Sequence, residues 1–320
     1  MTPPKAGPAL GQAVCVPDED QRARLLAAGS PYTGEVLAWD GGGTPPPEIA
    51  KTTFLVAPYR ATALEPEQLA RMPRLQLIQL LSAGFEAWAE VVPRGVTLCS
   101  GRGLHGSSTA ELAVAGILMH LHGHVQFLEQ QRRGEWRPLP RSSCSGRKVL
   151  VIGAGDIGST VADVLTTLGA TVTLIGRTAR PGVLAQESLP ELLPDQDVIV
   201  LSMPLTEDTR GLVDADFLRR LRPGCILVNV ARGGIVVTGA LVDALRAGRV
   251  KAVLDVADPE PLPSDHPLWA APGLILTPHV GGGAEGWERR ATALVLDQLA
   301  RLADRRPLRN VVMDGASSDP

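Results

Sequence analysis

With 320 residues, 44% of them hydrophobic, the chain is long enough for two α/β domains with their own cores. A formal net charge of −3 argues against the broad basic face that nucleic-acid binding needs. No apolar run approaches the ~20 residues of a membrane helix, and Met1-Thr-Pro-Pro-Lys-Ala-Gly-Pro8 lacks a hydrophobic signal core, so the expected setting is cytoplasmic.

Short apolar runs alternate with helix-length stretches, the pattern of a parallel α/β protein. In the first third, strands are predicted at Ala13–Val16, Val36–Trp39, Phe54–Ala57, Leu75–Leu80 and Val96–Cys99. Glu67–Met72 reads as a helix stopped by Pro73, and Gly41–Pro47 as a loop. Ser107–His124 is long and mostly apolar, which predicts one largely buried helix, and Gly134-Glu-Trp-Arg-Pro138 breaks the stretch after it. Strands then follow at Lys148–Ile152, Ala170–Ile175, Val198–Ser202, Ile226–Asn229, Ala252–Asp255 and Leu274–Thr277. A final amphipathic helix spans about Ala284–Asp304, and the tail Gly315–Pro320 is expected to be mobile. There is no internal repeat. Cys15, Cys99, Cys144 and Cys225 show no CxxC spacing, which argues against a metal or disulfide frame. Cys15, Cys99 and Cys225 lie in apolar runs and should be buried and reduced.

The strand Lys148–Ile152 runs into Gly153-Ala154-Gly155-Asp156-Ile157-Gly158 and then into a helix pattern. In that context Gly153 permits the tight turn, Gly155 lets backbone approach a pyrophosphate, and Gly158 permits close helix–strand packing. The free N–H groups of the helix start suit phosphate. A purely structural turn is the alternative. The next strand ends at Gly176-Arg177-Thr178-Ala-Arg180, where an NAD-preferring site usually has Asp or Glu for the ribose hydroxyl. A guanidinium there matches a 2′-phosphate, so NADP(H) is favoured with NAD(H) possible. An arginine stacked on adenine is the other reading.

Three later loops follow predicted strands. Asn229-Val230-Ala231-Arg232-Gly carries a cation, Asp255–Leu262 carries Glu260, and Thr277-Pro-His279-Val-Gly-Gly carries a histidine. Each alone is more often a solvated or structural residue. Together they lie where an α/β sheet binds ligands, and they supply what a hydroxyl/carbonyl interconversion needs. Histidine moves the proton near neutral pH, a carboxylate beside it orients the ring, and arginine holds a substrate carboxylate.

With these loops and the glycine turn, the chain resembles the D-isomer-specific 2-hydroxyacid dehydrogenase family, most plainly from Leu75 onward. The resemblance implies two doubly wound parallel-sheet domains, a flavodoxin-like substrate domain (1–104 and 284–320) and an inserted Rossmann cofactor domain (105–283). It implies that Arg232, Glu260 and His279 are catalytic. Ser82, Ala83 and Gly84 match the loop whose backbone holds the substrate carboxylate, together with Arg232 and His279. Thr109 matches a position near the cofactor phosphates or nicotinamide. Ser202, Met203, Pro204 and Thr209 match the loop lining the nucleotide, and Asp255 a residue near the nicotinamide amide. The Gly176–Arg180 stretch looks like the NADPH-using glyoxylate/hydroxypyruvate reductase branch. Glu260 stands where formate-oxidising members have Gln, and Ala83 where phosphite-oxidising members have lysine, which disfavours both substrates.

The implied activity is reduction of a small 2-oxo acid to its 2-hydroxy acid, with the domains closing over the substrate. The competing reading is an NAD(P)(H)-sensing, corepressor-like binding protein, because such relatives keep the same three residues. A homodimer is implied, with Leu121–Pro140 as its arm. His120-Leu-His122-Gly-His124 could place two imidazoles on one helix face, but helix packing or a subunit contact is the favoured reading and no metal is expected.

Overall fold

The computed structural model describes residues 13–28, 34–59 and 62–315. Residues 1–12, which include the stretch read as lacking a signal core, and residues 316–320 of the tail expected to be mobile lie outside the described residues. The chain divides into two compact units, Met1–His105 with Glu285–Pro320, and Gly106–Ala284.

In chain order the strands are β1 (Ala13–Val16), β2 (Val36–Ala38), β3 (Thr52–Val56), β4 (Leu77–Gln79) and β5 (Thr97–Cys99). Next come β6 (Lys148–Ile152), β7 (Thr171–Gly176), β8 (Val183–Ala185) and β9 (Val198–Leu201). The last are β10 (Cys225–Asn229), β11 (Val250–Leu254), β12 (Leu274–Leu276) and β13 (Val311–Met313).

The first unit holds a sheet ordered β13-β5-β4-β3-β1-β2. All its pairs are parallel except β13 on β5. Without β13 this is the flavodoxin-like doubly wound order. Alternate residues face opposite ways. Val14, Phe54 and Leu77 pack with Leu294, Val295 and Leu299 of the Trp287–Ala303 helix, while Cys15, Leu55 and Ile78 pack with Trp39, Met72 and Trp88. A buried amide pair ties that helix in: Gln298 Nε2 donates to Gln79 Oε1 at 2.7 Å, and Gln298 Oε1 accepts the Arg309 N–H at 3.0 Å.

The second unit holds an all-parallel sheet ordered β12-β11-β10-β9-β6-β7-β8, the Rossmann order with one strand added. Between their ends its central strands are apolar because helices cover both faces. Val149, Val151, Val198, Val200 and Val228 face the Gly106–Leu121 and Asp156–Thr167 helices, while Leu150, Ile152, Ile199, Leu201 and Leu227 face Phe217, Leu241 and Leu245. Gly116 brings the first helix very close, since a Cβ there would lie 2.4 Å from Val253 Cγ1. The strand order reverses between β6 and β9, and there the glycine turn emerges.

Several sequence readings shift in the structure. The Ser107–His124 helix spans Gly106–Leu121 and then breaks at Gly123, whose φ of 71° ends the run before a separate His124–Arg132 helix begins. His120 and His124 therefore sit on different helices. His120 Nε2 instead bonds the Ala252 carbonyl at 3.0 Å, a packing role. Among the described residues no group of three His, Cys, Asp or Glu side chains is placed to hold a metal. The final helix starts at Trp287, after the left-handed Gly286, rather than at Ala284. The Glu19–Ala27 helix, capped by Asp18 through a 2.6 Å bond from the Gln21 N–H, and the edge strands β8 and β13 add to the predicted set. Those two strands have three residues each, too few to show a period. All four cysteines are free and buried, and burial pushes the thiols of Cys15, Cys99 and Cys225 up to about 12.

Candidate active site

The phosphate end of the site begins at β6. Gly153 turns with φ 113°, and a Cβ there would meet Ser202 and Met203 backbone within 2.7 Å. A Cβ on Gly158 would fall 1.9 Å from the Gly153 carbonyl, so the helix sits directly on the turn. A Cβ built on Gly155 would meet no atom beyond its chain neighbours within 4 Å, which leaves room for a ligand to reach the backbone. The Asp156–Thr167 helix starts there, and its first N–H groups have no carbonyl one turn back. Ser202 Oγ donates to the Gly153 carbonyl at 2.8 Å and the Gly153 N–H bonds the Ile175 carbonyl at 2.8 Å, so both neighbouring strand ends brace the turn. Glycines where bulk is forbidden and open backbone where an anion would lie fit a dinucleotide pyrophosphate.

Around that turn the structure sorts the sequence candidates. Arg180 Nη2 donates to the Ala154 carbonyl at 2.6 Å, so this guanidinium is folded back onto the turn. Arg177 and Thr178 are exposed at the end of β7. Thr209 Oγ1 accepts the Thr206 N–H at 2.7 Å and donates to the Pro204 carbonyl at 2.8 Å, closing its own loop. Thr109 is buried beside Gly281, whose added Cβ would lie 3.4 Å from its hydroxyl.

The reactive end lies on the adjacent ends of β10, β11 and β12. Asn229, fully buried, closes β10 and organises the arginine loop: its Nδ2 donates to the Arg232 carbonyl at 2.9 Å and its Oδ1 accepts the Ala231 N–H at 3.0 Å. Arg232 is half-buried, and its Nη1 donates to the Ala231 carbonyl at 2.7 Å. Gly233 is required by its neighbour, because a Cβ would fall 1.8 Å from the Ala257 carbonyl oxygen. The segment so admitted carries Glu260 between two cis X–Pro bonds, Asp258–Pro259 and Glu260–Pro261.

Asp255 ends β11 and holds the histidine loop. Its Oδ1 accepts from Thr277 Oγ1 at 2.6 Å and the Val280 N–H at 2.9 Å, and its Oδ2 accepts the Gly281 N–H at 2.9 Å. Its carbonyl accepts the His279 N–H at 2.7 Å, and its own N–H bonds the Asn229 carbonyl at 3.0 Å. One chain of bonds thus runs from the arginine loop through Asn229 and Asp255 to the histidine. His279 adopts a left-handed φ of 53°, and its Nδ1 meets Glu260 Oε1 at 2.5 Å. Both side chains are about two-fifths exposed, and the opposite ring nitrogen, Nε2, has no bond among the described residues.

So Glu260 and His279 meet, and Arg232 stands on the neighbouring strand end. The structure adds Asn229 and Gly233 to the residues that shape this site. Buried polar Asn at the end of an apolar strand was the signal available for the first, while the second needed the contact itself. Ser82 lies in the other unit, where its Oγ donates to the Gly84 carbonyl at 2.8 Å and its own carbonyl accepts the Gly101 N–H at 2.6 Å.

Residues 114–281 match the family described as D-isomer specific 2-hydroxyacid dehydrogenase, NAD binding domain. A glyoxylate reductase of Aeropyrum pernix is 30% identical over 299 residues, covering 87% of this chain and 89% of that one. A D-isomer specific 2-hydroxyacid dehydrogenase from Xanthobacter autotrophicus, solved with NADPH and MES, superposes with a TM-score of 0.83 at 28% identity, covering 95% of this chain and 98% of its own. An NADPH-dependent glyoxylate/hydroxypyruvate reductase from Sinorhizobium meliloti, solved with NADP and sulfate, gives 0.81 at 25% identity, covering 96% and 99%.

Proposed function

The chain belongs to the D-isomer specific 2-hydroxyacid dehydrogenase family, and we propose that it serves there as an NADPH-preferring reductase of a small 2-oxo acid such as glyoxylate or hydroxypyruvate. One observation carries this reading: the 2.5 Å bond between His279 Nδ1 and Glu260 Oε1, on strand ends next to that of Arg232. When bound, a reduced nicotinamide would supply the hydride for the carbonyl carbon. His279 Nε2 gives the carbonyl oxygen its proton, which completes the 2-hydroxy acid. Glu260, on the far side of the ring, fixes the ring plane and balances the charge the imidazole carries before transfer. Arg232 holds the substrate carboxylate and stabilises charge on the carbonyl oxygen. The backbone of Ser82, Ala83 and Gly84 is assigned a share of that carboxylate on the family resemblance.

The cofactor would be held by the Asp156, Ile157 and Gly158 N–H groups at its pyrophosphate, and by Gly176, Arg177, Thr178 and Arg180 at its adenosine end. Thr109, Ser202, Met203, Pro204, Thr209, Val230, Ala231 and Asp255 are assigned to its flanks. The end of β7 supports NADP(H), since it offers two guanidinium groups and no carboxylate. Two of the solved relatives above carry NADPH or NADP. A homodimer is part of the same reading. Trp136 is wholly exposed at 101% and Leu128 is 47% exposed, both within the Leu121–Pro140 stretch, where a second copy would cover them. A cytoplasmic setting suits four free, buried cysteines, and no described helix is long and apolar enough to cross a membrane.

The deciding experiment is steady-state kinetics with glyoxylate, hydroxypyruvate, longer 2-oxo acids and formate, using both cofactors. We expect reduction with kcat/KM for NADPH at least ~10-fold above NADH, equivalent to about 1.4 kcal/mol of discrimination. A preference for NADH removes the cofactor assignment. NADPH binding without turnover of any substrate removes the enzyme assignment, and a monomer in sedimentation removes the dimer.

A further inference from the structure

The glycine turn carries an acid where a pyrophosphate is assigned. Asp156 is the first residue of the Asp156–Thr167 helix, directly after Gly155. Side chains at a helix start lean back over the N-terminus, because the Cα–Cβ bond tilts that way. A carboxylate in that place repels the phosphates that the helix N–H groups attract.

The structure holds the charge aside. Asp156 Oδ2 lies 1.7 Å, and its Cγ 2.4 Å, from the point where a Cβ on Gly106 would stand. The carboxylate is therefore seated on the bare Cα of Gly106. Gly106 is buried and its φ lies outside the left-handed region, so its backbone does not call for glycine and only the occupied space does. It also begins the Gly106–Leu121 helix, whose positive end favours an anion. The carboxylate thus lies beside the starts of two helices.

We propose that Gly106 is a seat for the Asp156 carboxylate, and that this pair tunes nucleotide affinity by keeping the charge off the pyrophosphate. The inference rests on the glycine turn binding that pyrophosphate. A side chain at position 106 unseats the carboxylate, and the geometry of the first helical turn leaves it over the phosphate cradle. The pair acts by positioning, and it affects NADPH and NADH alike because both carry the pyrophosphate.

The test is a fluorescence titration of NADPH and NADH against the parent protein, G106A, G106A/D156A and G106A/D156N. We expect G106A to weaken both nucleotides about three- to tenfold, the effect of one exposed charge a few ångströms away, and the loss to shrink in 0.5 M salt. D156A in the same background should restore the parent affinity, and D156N most of it. Parent-like affinity in G106A, or a loss that D156A does not relieve, overturns the proposal. If G106A fails to fold, recovery of folding in G106A/D156A supports the seat and persistent misfolding overturns it. A parent protein that binds neither nucleotide would instead sink the reading beneath it, a separate and recognisable outcome.

Discussion

Replacing Asp255 by alanine should cost both stability and turnover, for reasons that can be counted. Asp255 is 3% exposed, and its carboxylate accepts three bonds, from Thr277 Oγ1 and from the N–H groups of Val280 and Gly281. The Thr277 hydroxyl can turn to another acceptor, and Val280 is half exposed, so water can reach its N–H. The Gly281 N–H is buried and would be left without an acceptor, at a cost of about 1–3 kcal/mol. With roughly 1 kcal/mol more for the other two bonds, the loss is about 2–4 kcal/mol. For a unit of this size that lowers Tm by roughly 5–15 °C. The same bonds hold the loop in which His279 sits at a φ of 53°. Letting that imidazole drift by about 1 Å should lower kcat/KM ~100-fold. Calorimetry combined with kinetics well below the variant's Tm separates the two effects. A variant with parent-like Tm and turnover would refute the claim that Asp255 holds the histidine loop.

Glu260→Gln keeps the size of the side chain but removes the charge behind the imidazole, so kcat/KM should drop ~10- to 100-fold. Because this pair is about two-fifths exposed, Tm should stay within roughly 2 °C, and a large Tm change would contradict that view. Gly233→Ala forces a Cβ to within 1.8 Å of the Ala257 carbonyl oxygen, so the Glu260 segment must shift. Turnover should fall by at least ~10-fold together with Tm, and an unchanged crystal position of Glu260 with full activity would count against it. His120 should make the protein acid-sensitive. Burial lowers its pKa below 6.5, outweighing the upward pull of the Ala252 carbonyl, and Lys251 adds to the lowering. Between 6.5 and the lower folded value the unfolded chain binds more protons, so stability falls as pH drops through that window. His120→Gln keeps a donor for Ala252 and cannot titrate. Its Tm should therefore gain on the parent's from pH 7 to pH 5, and parallel Tm curves would remove His120 as a source.

Much of this was readable in the residue order because it is written at short range. The glycine spacing after Lys-Val-Leu-Val-Ile152 needs only a strand, a turn and a helix in succession, and β6 has the predicted bounds. The loops of Arg232, Glu260 and His279 each follow an apolar run, which places them at strand ends whatever the strand pairing. Gly123 does not stand out as a break in the sequence, because the apolar pattern continues up to it, yet one left-handed residue outweighs that pattern. Strands β8 and β13 are too short to carry a period, and pairing with a neighbour makes them strands.

Residue order alone specifies the chemical parts: a glycine turn, a cation, a carboxylate and an imidazole, each at the end of its own strand. How they are held depends on long-range pairing. Parallel pairing of β10, β11 and β12 brings three loops far apart in the chain side by side. Only then can Asn229 and Asp255 join them, Gly233 admit the Glu260 segment and Gly106 receive Asp156. These are contacts between distant segments at a few ångströms, and local periodicity carries no information about which segments will meet.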